Sequence, residues 1–268
     1  MDSKRIFDQY ASVRFNEKVA QETFLMGLES QEITSKAEPG HFVMIRVSEG
    51  TDPLLRRPFS ICSVEGENLF FILYRVVGQG TLIMSKAGKG DRLSVLGPLG
   101  RGFEMPQAGE IPILVAGGVG IAPIIFLAQR LGSRKALLMT GFRTSDEIVD
   151  KKACGLSDYQ ISITTDDGTA GHTGFVTDLL EDHLDGNKKE SPSVFACGPA
   201  PMLKKVASLT QRRSIPCRVS LESLMACGVG ACQGCAVLAA SAEKQAYFHV
   251  CEDGPVFHSE SIAWEYMA

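Results

Sequence analysis

The sequence predicts a β + α/β chain: an antiparallel sandwich or barrel, then a doubly wound parallel sheet, then a small cysteine-rich unit. Three observations predict it. The first ~105 residues break into short strand-like runs divided by Gly- and Pro-bearing turns. From Ile111 the pattern changes to continuous apolar strands alternating with helical stretches, the mark of a doubly wound sheet. Four cysteines then crowd the segment from Cys227 to Cys251.

In order, Glu22 to Glu29 is an expected strand. Pro39-Gly40 turns into HFVMIRV, where Phe42, Met44 and Arg46 alternate with Val43, Ile45 and Val47. LLRRPFSICSV and LFFILYRVV follow. Gly78-Gln79-Gly80-Thr81 ends that strand, and a short helix is expected from Thr81, whose side chain can cap it. Gly90-Asp91 turns into RLSVLGPLG. The Gly, Pro and Gln residues between Gly100 and Gly109 suggest a boundary, which divides the chain as 1–107, 108–215 and 216–268.

IPILVAGG reads as a strand buried on both faces. A glycine turn follows, then a helix from Ile121 to Leu131, with Pro123 tolerated in its first turn. KALLMTGFR and YQISITTDDG are further strands, Thr177 to His183 a helix, SVFACGP a strand, and Pro201 to Arg213 a helix that starts near Pro199. The last unit has too small a core to fold alone, so a metal is expected to staple it.

Composition narrows the class. The chain has 268 residues, 44% of them hydrophobic and 22% charged, with a formal net charge of −4. That is a globular composition, and its acidic balance argues against a nucleic-acid surface. MDSKRIFDQY has no apolar signal core, so eight cysteines are read as thiols of a reducing, cytoplasmic compartment. The 19 uncharged residues from Ile111 to Gln129 match a membrane span in length. Pro112, Gly117, Gly118, Gly120 and Pro123 interrupt them, so strand, turn and buried helix explain them better.

Cys227, Cys232, Cys235 and Cys251 stand as C-x4-C-x2-C-x15-C. This is the plant-type [2Fe-2S] spacing, and iron-sulfide clusters take soft thiolates. Gly228, Gly230, Ala231 and Gly234 give the loop freedom to turn its amides inward. Structural zinc is the rival, although zinc sites usually pair two short cysteine knuckles. Cys62, Cys154 and Cys217 read as small buried side chains, and Cys197 stands apart because it opens the CGPAPM turn.

GGVGIAP, with Gly117, Gly118 and Gly120, can offer amides to an anion at a helix start. It is not the full G-x-G-x-x-G, since Pro123 takes the third glycine's place. CGPAPM, with Cys197 and Gly198, is a second turn at the same end of the sheet, where ligands of such folds sit. TTDDGTAGHTG lies at a third strand end. Its acids Asp166 and Asp167 would bond a ribose and repel a 2′-phosphate, which favours NAD over NADP. In the first unit, Arg57 precedes Pro58 and so holds an extended backbone that can aim a guanidinium at a phosphate. An Arg56–Arg57 pair blunting a sheet edge is the plainer reading. Leu73-Tyr74-Arg75 and Gly80-Thr81 add an aromatic-plus-cation group and an amide turn.

R-x-x-S, L-Y-R, G-T, GGVGIAP, CGP-x-PM and the C-terminal cysteines together resemble the ferredoxin-reductase superfamily. SLESLMACGVGACQGC…VCEDGPVF, with RRPFSICS and LYRVVGQGT, resembles one branch of it over nearly the whole chain. That branch is the electron-transfer subunits of class 1B dihydroorotate dehydrogenases. The resemblance implies a Greek-key FAD barrel, an NAD domain and a [2Fe-2S] domain. Carried over by motif, Arg57, Pro58, Phe59 and Ser60 hold FAD, with Arg57 on its phosphates and Ser60 near the ring. Leu73, Tyr74, Arg75, Gly80 and Thr81 hold the rest. The family's RPIS stands here as RPFS.

The resemblance also implies a pathway, pyrimidine biosynthesis, and a partner, an FMN-containing catalytic subunit, two of each forming a heterotetramer. No membrane or nucleic acid is implied. Electrons would leave dihydroorotate on the partner's FMN and pass through the cluster and FAD to NAD. No acid–base triad is expected in the chain. An NAD(P)H–ferredoxin oxidoreductase subunit is the enzyme alternative, and a cluster-based redox sensor the non-enzyme one. The apolar tail around Phe257, Trp264 and Tyr266 is read as a docking patch or as ordinary terminal packing.

Overall fold

A computed structural model describes residues 6–132, 136–187, 191–241 and 246–267. Lys135, in the expected KALLMTGFR strand, and the first five residues lie outside the described residues. No helix among the described residues is long and apolar enough to cross a membrane.

The first unit closes as a barrel. Its strands are β1 (Phe7–Ala20), β2 (Thr23–Glu29), β3 (Phe42–Arg46), β4 (Arg57–Glu65), β5 (Leu69–Arg75) and β6 (Arg92–Leu99). They pair in the order β1-β2-β5-β4-β3-β6, every pairing antiparallel. The sequence reading names no strand before Glu22, yet β1 is the longest and seals the barrel. It pairs with β6 over its first half and β2 over its second, with Ser12 opposite both Arg92 and Glu29. Register shifts after Val13 and Lys18 break its period-2 pattern, and this hides it from an alternation test. Two short helices complete the unit, α1 (Gln31–Thr34) and α2 (Gln79–Met84).

The expected start of α2 at Thr81 is corrected by the structure. Gly78 is the cap, and Thr81 is the third helical residue. The Thr81 hydroxyl reaches back, accepting from the amides of Val77 and Gly78 at 2.9 and 3.2 Å. It closes the turn from inside, as a capping box does.

β3 shows how the units join. Val43 and Ile45 point into the barrel core with Met26, Ile61 and Ile72. Phe42 and Met44 point the other way, into a second core that includes Cys235, Val250 and Cys251. Both faces of β3 are therefore buried from Phe42 to Ile45, and Arg46 is exposed.

The second unit contains β7 (Ile111–Gly117), α3 (Ile121–Leu131), β8 (Leu137–Phe142), β9 (Ile161–Thr165), β10 (His172–Thr173), α4 (Val176–Gly186), β11 (Pro192–Cys197), α5 (Ala200–Gln211) and β12 (Cys217–Ser220). Six strands lie parallel in the order β10-β9-β8-β7-β11-β12. The chain moves outward from β7, then returns to β11 on its other side, so β7 and β11 flank the point where strand order reverses. α3 packs between the sheet and the barrel, which is why nearly all its residues are buried. Its sequence, apolar up to Gln129 and Arg130, reflects burial on two protein faces.

The C-terminal segment adds the hairpin β13 (Ala236–Leu238) and β14 (Tyr247–His249), and the strand β15 (Val256–His258). β15 pairs antiparallel with β12, and the backbone amide of Arg101 bonds Gly254. The segment thus rests on both the sheet and the barrel.

Of the two readings of the tail, packing describes most of it. Phe257 is buried against Phe248, with ring centroids 5.3 Å apart. The Trp264 indole donates to the Ser259 carbonyl at 2.7 Å. Both are packing residues, and Tyr266 stays exposed.

Candidate functional site

The barrel carries a cavity of about 360 Å³ where it meets the sheet. β4 presents Arg57, Pro58, Phe59 and Ser60 to it, and β5 presents Leu73, Tyr74 and Arg75. Thr81 lines it as well, so one mouth gathers nearly all the barrel residues singled out by sequence. Gly80 acts by absence of a side chain: a Cβ there would stand 2.5 Å from Arg57 Nε. The Arg57 side chain therefore lies across α2, and its guanidinium also donates to the Leu55 carbonyl.

The two arginines divide their work. Arg56 bonds the Met44 and Ser94 carbonyls at 3.3 and 3.1 Å and Asp8 at 2.9 Å. It stitches β3, β6 and β1 together and is a structural residue, while Arg57 alone faces the cavity. Tyr74 turns its hydroxyl into the barrel, donating to Asn16 Oδ1 at 3.0 Å. Burial pushes that phenol up to about 12, with the Asn16 bond pulling the other way. Its contribution to the cavity is its ring, packed against Phe24 and Phe59.

A second cavity, about 630 Å³, opens at the carboxyl ends of β7, β8 and β11. Gly117 and Gly118 line it. Gly120 and Gly198 do not, because they hold the two turns together. A Cβ on Gly120 would lie 2.6 Å from the Cys197 carbonyl oxygen, and one on Gly198 would meet Met202 at 2.7 Å. Cys197 ends β11 against the barrel cavity instead. Burial raises its thiol pKa well above the ordinary value, and the nearby Glu222 adds to this.

Asp166 lines the sheet cavity. Asp167 does not line it, since its carboxylate accepts from the Thr169 amide and hydroxyl at 3.0 and 2.6 Å. Of the two acids expected at a ribose, only Asp166 faces the space.

Several charged lining residues escape the sequence reading, Lys205 and Asp178 among them. Arg143 and Glu147 line the sheet cavity, and Glu222 lines both. Burial pushes the Glu222 carboxyl above the usual range. SLES offered no spacing signal for it; only the meeting of β12 with both cavities singles it out.

The cysteines form a third site beside the barrel cavity. Cys235 and Cys251 are buried, with sulfurs 3.3 Å apart, while Cys232 is exposed. Amides point at the sulfurs: Val229 and Cys232 donate to Cys227 Sγ at 3.4 Å, and Gly230 to Cys251 Sγ at 3.2 Å. Burial raises the Cys227 thiol pKa, and these amides more than offset it, lowering the thiol to about 7. Gly228 and Gly230 take positive φ, at 76° and 77°, so the loop can turn its amides inward. A Cβ on Gly228 would stand 2.6 Å from Met44 Cγ, so the loop sits directly on β3. Among the described residues no three ligand side chains close round a single-ion site. Sulfurs that accept amide hydrogen bonds fit a cluster that spreads four thiolates over two irons.

A six-stranded barrel, a parallel-sheet crevice opening beside it and a four-cysteine loop at the same corner define an electron-transfer protein of the ferredoxin-reductase type. Residues 114–208 match the oxidoreductase NAD-binding domain, and residues 222–263 match the iron-sulfur cluster binding domain of dihydroorotate dehydrogenase B. The chain belongs to the family of dihydroorotate dehydrogenase B (NAD(+)) electron transfer subunits. It is 38% identical to the member from Desulforamulus reducens, covering 97% of this chain and 99% of that one. The member from Fusobacterium nucleatum is 35% identical, with 95% and 98% covered. Among solved structures, an NADH-dependent reduced ferredoxin-NADP oxidoreductase, studied for flavin-based electron bifurcation, aligns with a TM-score of 0.81. That pair is 30% identical, with 96% of this chain and 91% of the other covered. Phthalate dioxygenase reductase, 18% identical with a TM-score of 0.63, covers 91% of this chain and 94% of its own and shares the fold.

Proposed function

We propose that this chain carries electrons from a partner catalytic subunit to NAD, through a [2Fe-2S] cluster on Cys227, Cys232, Cys235 and Cys251 and an FAD in the barrel cavity. The partner is an FMN-containing dihydroorotate dehydrogenase subunit, paired two to two with this chain in pyrimidine biosynthesis. FAD, when bound, exchanges a hydride with nicotinamide as a pair and single electrons with a cluster.

One observation carries the reading. Glu222 lines both cavities, Met225 lines the barrel cavity, and Cys227 is a cluster cysteine two residues further on. Two residues span at most ~7 Å of chain, so the three sites are joined by one short run. Arg57 supplies the phosphate charge. Pro58, Phe59 and Leu73 give apolar walls that exclude water from the ring. Gly117 and Gly118 leave the sheet cavity open for the nucleotide, with Asp166 toward its ribose. The exposed rim of the cysteine loop, with Cys232 and Leu224, is the outlet toward the partner.

Purified protein is expected to show a flavin spectrum with about two irons and two sulfides per chain. Dithionite reduction should give a [2Fe-2S] EPR signal. Stoichiometric zinc without acid-labile sulfide would end the reading. Arg57→Ala is expected to weaken FAD binding by about 1.5–3 kcal/mol, the worth of a charge-assisted contact, and to leave iron content unchanged. Full flavin retention through dialysis would return Arg57 to a structural role. The likeness to the ferredoxin-linked enzyme supports a second reading, with ferredoxin as the electron partner. Ferredoxin reduction by NADH at a rate matching that with the dehydrogenase partner would favour it.

A further inference from the structure

The end of β8 carries a conflict of charge. In doubly wound sheets the position about 20 residues past the glycine turn faces the adenosine ribose. An acid there bonds the 2′-hydroxyl, and an arginine accepts a 2′-phosphate. Here Arg143 takes that place, directly after β8, and lines the sheet cavity with Asp166. A free Arg143 would favour a 2′-phosphate just where Asp166 opposes one.

The guanidinium is not free. Glu147 ends the one-turn 3-10 helix Ser145–Glu147 and is only 8% exposed. Its Oε1 accepts from Arg143 Nε at 2.9 Å and from Arg75 at 3.1 Å, and its Oε2 accepts from the Arg143 amide at 3.4 Å. Burial pushes the carboxyl up, but the two arginines outweigh it and keep it ionised. The Arg143 side chain remains 64% exposed, so only the pairing restrains it.

We propose that Glu147 is a positioning residue for nucleotide choice: it commits Arg143 to an ion pair and so withholds that cation from a 2′-phosphate. Asp166 is then left to meet a ribose diol, and the cavity's other cations are also committed, Arg75 to the same Glu147 and Lys205 to Glu181 at 3.2 Å. The inference rests on the sheet cavity being the NAD site.

The test uses purified full chain and two probes, 5′-AMP and 2′,5′-ADP, titrated by calorimetry so that flavin content does not matter. Wild type is expected to bind 5′-AMP more tightly. Glu147→Gln should tighten 2′,5′-ADP by about tenfold, the scale of one released charge-assisted contact, and leave 5′-AMP within about twofold. Adding Arg143→Ala to Glu147→Gln should remove the gain. Glu147→Asp, which keeps the charge beside Arg75, should give a smaller gain of the same sign. With FAD bound, the KM for NADPH should fall in parallel. A 2′,5′-ADP affinity that neither Glu147 variant improves would overturn the proposal. So would a gain that survives loss of Arg143. If wild type binds neither probe and NADH leaves the flavin oxidised, the NAD-site reading fails and takes this inference with it.

Discussion

Alone, the chain is expected to oxidise NADH with ferricyanide and to leave dihydroorotate untouched; adding an FMN-containing dihydroorotate dehydrogenase partner should switch that reaction on. The described elements are already committed. Six strands close the barrel, seven form the sheet, and two form the hairpin that follows the cysteine loop. Abstracting a proton from dihydroorotate needs a base within hydrogen-bond reach, matched to a second flavin for the hydride. A domain to hold that flavin would take about 50 residues or more. The outlet surface fits transfer to a protein. Cys232 is exposed, and Leu224, three residues before Cys227, is 91% exposed, an apolar side chain of the kind interfaces cover. The check is a coupled assay of NAD reduction by dihydroorotate, with the subunit alone and then with the partner, alongside size-exclusion chromatography of the mixture. Robust turnover by the isolated chain would overturn the subunit reading.

Cys232→Ser is expected to remove the cluster signal and to reduce partner-linked electron transfer to background, while NADH–ferricyanide activity through the flavin persists. An alkoxide is a poorer ligand for iron-sulfide than a thiolate. Loss of an outer-shell partner alone costs about 10- to 100-fold in metal affinity, so loss of a ligand should cost at least that. Cys62 and Cys154 are the controls. Both lie in the core between barrel and sheet, and burial raises both thiols, that of Cys154 to about 12. They are inert, and replacing either should leave iron and sulfide content unchanged. Iron and sulfide assays with EPR of the dithionite-reduced variants read the outcome. A normal [2Fe-2S] signal from Cys232→Ser would mean the ligand set is wrong.

Much of the site was legible because its signals are local. RPFS and LYR lie on adjacent antiparallel strands, so their side chains reach one cavity without help from distant residues. The cysteine spacing is legible for the same reason, three ligands sharing one loop. The helix from Ile121 to Leu131 was bounded correctly because glycines at positions 120 and 132 mark its ends. β1 was missed because its bulges break the alternation, and Thr81 was placed at the wrong helical position because a hydroxyl can close a turn from the cap or from inside it.

The sequence by itself determined the class of fold and the cysteines that fit a cluster, since both depend on residue type and short spacing, and its resemblance to a family supplied the flavin and the nucleotide. The tertiary structure decided how charges are shared. Arg56 and Arg57 are neighbours in sequence, but the barrel uses one as a strap and leaves the other for the cavity. Asp166 and Asp167 are equivalent on paper, yet Thr169 takes one of them. Arg143 draws no notice in the sequence, and only the fold sets it at the sheet cavity with Glu147 and Arg75 around it, while Glu222 is an ordinary glutamate until β12 carries it to the meeting of two cavities. A charged side chain acts through the partners within a few ångströms of it, and those partners lie anywhere from the next turn, as Thr169 and Glu147 do for Asp167 and Arg143, to distant strands, as Asp8 and Ser94 do for Arg56.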